Sequence, residues 1–236
     1  MNTYVALDLE TTGLNPSRDR ILEIGAVKIV EGEEQQVLST LVNPGREVTP
    51  RIQELTGITN EMAATGMEYE TAVGSLVEFC QDLPILGHNI LFDYSFVKRA
   101  AVNHGLTFEK TGVDTLKIAR KLLPDLEHRN LEYLCTYYGI CQKQHHRAEE
   151  DARSAKCLYE RLYQEFPGSP LELFDPVPLI YEAKKQSPIT PAQKGYLNDL
   201  LKYHKIEIPV QVDSLMKNEA SRIIDRIILE HGRILH

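Results

Sequence analysis

Apolar positions change along the chain from a strand-like to a helix-like spacing. Three early segments have the apolar and β-branched composition of strands: residues 4–9, 21–30 and 35–42. The polar residues 31–34 predict a hairpin between the last two. Five later segments have the spacing of amphipathic helices: residues 70–81, 92–104, 116–122, 131–138 and 149–166. With short apolar segments at 85–86 and around 113, this order predicts an α/β fold, a mixed sheet with helices on both faces.

Proline marks a boundary after this region. Half of the twelve prolines fall within 25 residues: Pro167, Pro170, Pro176, Pro178, Pro188 and Pro191. Proline fixes φ and lacks a backbone donor, so residues 167–189 are predicted to form an extended linker. The linker divides a domain at residues 1–166 from a small helical module at residues 190–236.

Two amphipathic helices are predicted in this module. Thr190 is suited to cap the first helix and Pro191 to begin it, with an apolar face of four residues: Tyr196, Leu197, Leu200 and Leu201. The second is predicted from about Asn218 to a stop at Gly232. A module of this size has little core of its own, so we expect it to dock on another surface.

Composition narrows the class of protein. Of the 236 residues, 42% are hydrophobic and 25% are charged, which excludes disordered, collagen-like and coiled-coil chains. No uncharged apolar run of membrane-spanning length and no signal peptide is evident, so we expect no membrane association and a cytoplasmic location. The net charge of −8 argues against bulk electrostatic binding of nucleic acid, although residues 183–236 carry a net charge of +3.

Two acids stand at the end of the first predicted strand. Asp8 and Glu10 are two residues apart, so on a strand both carboxylates project from the same face. A solvated strand face is the alternative interpretation. The turn Thr11-Thr12-Gly13-Leu14 follows at once, however, and ligand sites in α/β sheets cluster at such strand ends.

Two further segments carry candidate chemistry. Asp93 follows a short apolar strand at the start of a predicted helix, where the helix dipole alone also favours an acid. His146 lies five residues before Asp151, and at about 100° per residue the two side chains would diverge on one helix. If they cooperate, His146 lies on a loop ahead of the helix, although His145 makes the register ambiguous.

In order and spacing, four segments resemble the successive motifs of the DnaQ-like exonucleases of the DEDD class: Asp8-Leu9-Glu10-Thr11-Thr12-Gly13-Leu14, His88-Asn89 to Asp93, Val113-Asp114-Thr115 and His146 to Asp151. The histidine is similar to that of the DEDDh branch. The segment at residues 55–59 is also similar to one in PolC-type and epsilon-type proofreading domains. The resemblance covers about residues 3–166.

The resemblance implies a ribonuclease H-like fold and 3′ to 5′ exonuclease activity that releases nucleoside monophosphates from nucleic acid with a free 3′ end. By position it implies four metal-binding acids: Asp8, Glu10, Asp93 and Asp151. Carboxylates are hard ligands suited to two Mg²⁺ ions, for which Mn²⁺ substitutes. His146 matches the general base, and its ordinary pKa of about 6.5 suits proton transfer near neutral pH.

The resemblance also implies contacts to the terminal nucleotide. Thr11, Thr12 and Leu14 match the segment that lines it, with Leu14 as an apolar wedge, although a simple turn with one core leucine is the alternative. Asn89 matches a substrate-binding position. Both it and Asp114 also suit a purely structural role in orienting loops.

Three functions stay open at this point. DNA is the favoured substrate, RNA exonuclease activity is the alternative, and a non-catalytic nucleic-acid-binding adaptor is a third. The module at residues 190–236 is a candidate to bind nucleic acid through its lysines, a protein partner, or a second copy of the chain.

Overall fold

A mixed β-sheet forms the centre of the protein. In the computed structural model, which describes residues 1–140 and 147–234, six strands are seen: β1 (Tyr4–Thr11), β2 (Ile21–Val30), β3 (Glu33–Leu41), β4 (Ile85–Gly87), β5 (Thr111–Asp114) and β6 (Val177–Pro178). They lie in the order β3-β2-β1-β4-β5-β6. β1, β4 and β5 are parallel to one another, whereas β2, β3 and β6 pair antiparallel to their neighbours. The predicted α/β fold with a mixed sheet is confirmed.

Helices surround this sheet and continue beyond it. Those of the first part are α1 (Pro50–Thr56), α2 (Asn60–Ala64), α3 (Tyr69–Cys80), α4 (Leu91–Asn103), α5 (Thr115–Leu122), α6 (Leu131–Tyr138) and α7 (Ala148–Glu165). Two more follow near the C-terminus: α8 (Pro191–His204) and α9 (Lys217–His231).

Alternation along β1 explains why both faces of the sheet are covered. Val5 and Leu7 point into one core, which they share with buried residues of α3 and α4. Tyr4 and Ala6 point into a second core on the opposite face, shared with α5, α6 and α7. Asp8 continues this second row and therefore lies on the face that α7 covers.

The predicted long elements agree with the structure to within two residues at each end. Two short helices were not predicted, α1 and α2. α1 begins at Pro50, and Gly57, with a φ of 70°, ends it, while the Thr59 side chain caps α2. Helices of one or two turns are too short to show an apolar period in sequence.

The proline-rich segment differs from the predicted extended linker. It contains a 3₁₀ turn at Leu171–Leu173 and strand β6, which pairs with β5. The Phe174 ring lies 5.9 Å from that of Tyr159, and both Phe174 and Leu179 are buried. Part of the segment therefore completes the core of the preceding domain, and the division at residue 166 stays a prediction.

The C-terminal module has a small core of its own. The buried side chains that form this core are Leu197, Leu200, Leu215, Ala220, Ile224 and Ile227. Thr190 caps α8 and α9 ends at Gly232, as predicted, and Gln193 completes a capping box with Thr190. Tyr196 was assigned to the apolar face but is 38% exposed. In the described part of the chain, the helices are all too short or too polar to cross a bilayer.

Candidate functional site

The ends of the parallel strands create a cleft at one edge of the sheet. β1, β4 and β5 run in the same direction, so their carboxyl ends meet there. The cleft has a volume of about 330 Å³. Its lining residues are Asp8, Leu9, Glu10, His88, Phe92, Asp93, Asn130, Leu131, Glu132 and Asp151. All four acids singled out in the sequence therefore face one space.

Three elements supply these acids. Asp8 and Glu10 project from β1, and Asp151 lies in the first turn of α7; each offers a carboxylate oxygen, and the three oxygens lie within 4.8 Å of one another. Asp93 lies in the first turn of α4. Its Oδ1 accepts a hydrogen bond of 3.0 Å from the Leu9 backbone N–H, which ties α4 to β1.

Burial and mutual repulsion raise the pKa values of three of these carboxyl groups. Burial, followed by the charges of Asp93 and Asp151, raises the pKa of Asp8 well above its ordinary value. Burial, followed by Asp151 and Glu23, raises the pKa of Glu10 to about 8. Burial also raises the pKa of Asp93, although hydrogen bonds from backbone amides oppose the rise. The cluster is electrostatically unfavourable unless protons or cations neutralise it.

The donor set fits a hard divalent cation. Its ligand atoms are carboxylate oxygens, which Mg²⁺ and Mn²⁺ prefer, whereas sites for softer metals carry sulfur or imidazole. A cation placed among Asp8, Glu10 and Asp151 also offsets the mutual repulsion that, after burial, contributes to the raised pKa values of Asp8 and Glu10. The chemistry of the donors therefore agrees with a divalent-cation site.

An ion pair behind the cluster fixes the start of α7. Glu23 of β2 is buried, and Arg147 donates to it through both Nε and Nη2, at 3.0 and 2.7 Å to Oε1. Glu23 Oε2 also accepts from the Ala148 backbone N–H at 3.1 Å. The pair joins β2 to the residues just before Asp151, so it positions that carboxylate.

A glycine lets the helix approach this closely. Gly25 lies opposite Asp8 in the β1–β2 register, on the same face of the sheet as Glu23. A Cβ atom at residue 25 would lie 2.0 Å from the Ala148 carbonyl carbon and 2.2 Å from the Glu149 nitrogen. A side chain here would therefore push α7, and Asp151 with it, away from β1.

The loops after β4 and β5 are tied to each other. Asp114 caps α5 through a bond of 3.0 Å from Leu116 N–H, and the same Oδ1 accepts from Asn89 N–H at 3.0 Å. His88 contacts Thr115 Oγ1 at 2.9 Å and the Arg129 carbonyl oxygen at 2.8 Å through its two ring nitrogens. These contacts agree with the structural role considered for Asp114.

The residues predicted to bind substrate lie beside the cleft rather than in its lining. Thr11 is buried and donates to the Gly13 carbonyl oxygen at 2.6 Å, and Thr12 Oγ1 accepts from Arg20 N–H at 2.9 Å. Leu14 is 85% exposed, so it is not a core leucine. Asn89 is exposed and has a φ of 71°. The structure makes Leu14 available to a ligand.

His146, predicted as the general base, lies outside the described residues, as does His145. The structure nevertheless begins α7 at Ala148, with Arg147 in an extended conformation before it.

Sequence reasoning missed several residues of the site. Glu23 had a detectable signal, because it is the single acid in a strand whose only other charged residue is Lys28. Phe92, Asn130 and Glu132 line the cleft without belonging to a charged or repeated pattern. Only the folded chain brings the start of α6 beside β1.

Comparison with known proteins now identifies the family. The sequence model of the RNase_T family, described as exonuclease, matches residues 5–159. The chain belongs to the RNase_T exonuclease family. It is 36% identical over 161 residues to a PolC-type DNA polymerase III of Caldanaerobacter subterraneus, covering 68% of this chain and 12% of that protein. The Thermotoga maritima PolC-type polymerase is 38% identical over 163 residues, with 69% and 12% covered.

Solved structures share the DnaQ-like, ribonuclease H-like fold of this family. Escherichia coli exonuclease I, in a zinc-bound complex with single-stranded DNA, has a TM-score of 0.64 at 21% identity, covering 71% of this chain and 42% of that one. Exonuclease X in complex with 5′-overhanging duplex DNA has a TM-score of 0.56 at 22% identity, covering 74% and 97%. These similarities confirm the predicted fold.

Proposed function

We propose that this chain is a metal-dependent 3′ to 5′ exonuclease that hydrolyses DNA to nucleoside monophosphates. The observation that carries the proposal is the convergence of Asp8, Glu10, Asp93 and Asp151 on one cleft at the end of β1. Membership of an exonuclease family supports hydrolysis of phosphodiester bonds. The 3′ to 5′ direction rests on the resemblance of the motifs to the DEDDh branch.

DNA is the favoured substrate because the names of the similar proteins refer to DNA. Those in the sequence comparison are DNA polymerases, and the similar structures contain single-stranded or overhanging DNA. The chain spans about 12% of the length of these polymerases, so their polymerase activity is not transferred to it. RNA hydrolysis remains the alternative that the experiment below distinguishes.

The acids would hold two Mg²⁺ ions, which when bound supply positive charge to the scissile phosphate and orient the attacking water. Thr11, Thr12, Leu14 and Asn89 bind and orient the terminal nucleotide, with Leu14 against its base. The Glu23–Arg147 ion pair keeps Asp151 in place.

His146 is the general base of the proposed reaction. It accepts a proton from the attacking water as the new oxygen–phosphorus bond forms. The bond from phosphorus to the 3′ oxygen of the preceding nucleotide breaks, and that oxygen takes up a proton. The products are a nucleoside 5′-monophosphate and a strand one nucleotide shorter.

The test compares DNA and RNA oligonucleotides of one sequence, each with Mg²⁺, with Mn²⁺ and with a chelator. We expect mononucleotides from DNA with either metal, none with chelator, and none from the Asp8→Ala variant. Faster hydrolysis of RNA would reassign the substrate. Binding of either strand without any hydrolysis would identify a non-catalytic adaptor instead.

A further inference from the structure

A single carboxylate of the C-terminal module binds two arginines of the exonuclease domain. Glu219, in the first turn of α9, accepts from Arg46 Nη2 at 3.0 Å through Oε1, and its Oε2 lies 3.7 Å from Arg20 Nη2. All three side chains are only 10–13% exposed. Oε2 also accepts from the Met216 backbone N–H at 2.9 Å, which fixes the carboxylate within its own module.

Backbone pairing defines the position of the module around this carboxylate. Residues 45–47 and 209–211 form an antiparallel bridge, in which Glu47 N–H donates to the Pro209 oxygen at 2.7 Å and Gln211 N–H to the Gly45 oxygen at 3.1 Å. Ser214 Oγ donates to the same Gly45 oxygen at 2.9 Å. The module is therefore joined to the domain in a specific register.

Both arginines hold the loop at residues 12–20, which we call the substrate loop. The Arg20 backbone pairs with Thr12, with Thr12 N–H donating to the Arg20 oxygen at 2.8 Å. Arg46 Nη1 donates to the Arg18 carbonyl oxygen, so both arginines act at the C-terminal end of the loop. Residues 16–20 and Glu219 line the same crevice, so α9 lies directly behind the loop.

We propose that the C-terminal module is a positioning element for the substrate loop, acting through Glu219. This inference rests on the proposed function, because the loop carries Thr12 and Leu14. Leu14 is 85% exposed, so packing around its own side chain does not fix its position. The position of Leu14 therefore depends on the conformation of the loop. Arg20 and Arg46 connect that loop to Glu219 of the module.

Electrostatics makes Glu219 the critical contact. Removing the charge of Glu219 leaves two largely buried guanidinium groups without the carboxylate that they share, with only carbonyl oxygens as hydrogen-bond acceptors, that of Ser214 for Arg20 and that of Arg18 for Arg46. Arg20 and Arg46 would then repel each other and move apart, and each would pull on the loop segment that it binds. Glu219→Gln keeps the size of the side chain and an oxygen acceptor but removes the charge, so it tests this contact with little change of shape.

Amide hydrogen exchange tests the positioning role without depending on activity. In the full chain, Glu219→Gln should speed exchange at residues 12–20 about tenfold or more, whereas Asp225→Asn, an exposed acid on the same helix, should leave it unchanged. Arg46→Met should reproduce the effect from the other side of the contact. Unchanged exchange at residues 12–20 in both Glu219→Gln and Arg46→Met would overturn the proposal.

Kinetics then separates positioning from chemistry. Glu219→Gln should raise KM for a DNA oligonucleotide about 5- to 30-fold with kcat within about twofold, and Leu14→Ala should cost less in this background than in the wild type. Equal costs of Leu14→Ala in both backgrounds would contradict the proposal. A wild-type chain that hydrolyses no nucleic acid would refute the proposed function instead, while hydrogen exchange would still decide whether Glu219 orders the loop.

Discussion

Replacing Glu10 by glutamine should stabilise the metal-free protein. Burial and neighbouring charges raise the pKa of Glu10 from 4.5 to about 8. At about 1.36 kcal/mol per pKa unit, the ionised side chain costs about 5 kcal/mol more in the folded than in the unfolded chain. Part of this free energy is repulsion between Glu10 and the carboxylates of Asp151 and Glu23. Those two groups stay buried in the variant, so the substitution recovers only a part of the total. We therefore expect Glu10→Gln to recover about 1–3 kcal/mol, which raises Tm by about 2–10 °C in a chain of this size.

The gain should depend on pH in a defined direction. Below about pH 4 the Glu10 carboxyl is protonated in both the folded and unfolded chain, so the substitution changes little. Between pH 4.5 and 8 the unfolded chain loses the proton that the folded chain retains, and the wild type becomes progressively less stable. The advantage of Glu10→Gln should therefore grow over this range and level off above pH 8.

Thermal unfolding in a chelator, repeated from pH 4.5 to 8.5, measures this effect, with Glu54→Gln as the matched control at an exposed position. Added Mg²⁺ should raise the Tm of the wild type and raise that of Glu10→Gln less, because a ligand of the cation is lost. An equal loss of stability in Glu10→Gln at both ends of the pH range would refute the electrostatic account of the cluster.

Three further predictions concern the surroundings of the cluster. His146→Ala should lower the rate about 10²- to 10⁴-fold and remove the histidine inflection from the pH–rate profile, whereas His145→Ala should have a small effect. Glu23→Gln should lower kcat about 10- to 100-fold, because it releases the start of α7. Circular dichroism of the same variant should show that the fold persists. A chain ending at Phe166 should unfold at a lower temperature than one ending at Gln186, because the shorter chain lacks the buried side chains of Phe174 and Leu179.

The long elements and the acids could be predicted because their signals are local. Strands and helices with several buried residues show their period in sequence, and Asp8 and Glu10 share a face through strand alternation alone. The same reasoning placed Asp93 and Asp151 at helix starts, where the structure has them.

The remaining features depend on contacts between distant residues. Glu23 and Arg147 are 124 positions apart, and Arg46 and Glu219 are 173 apart. Either arginine could have bound any nearby acid, so their pairing follows from the fold rather than from a pattern. β6 was missed for a similar reason, since two residues of a proline-rich segment become a strand only when β5 offers them an edge.

End-labelled DNA tests the central claim most directly. A single-stranded oligonucleotide carrying the label at its 3′ end, in Mg²⁺, should release labelled mononucleotide at once, whereas the same strand labelled at its 5′ end should give a ladder of shortening products. Both signals should disappear in Asp151→Asn, which removes one negative charge from the cluster but keeps the side chain's size. Immediate release of mononucleotide from the 5′ label, or full activity in Asp151→Asn, would contradict the account.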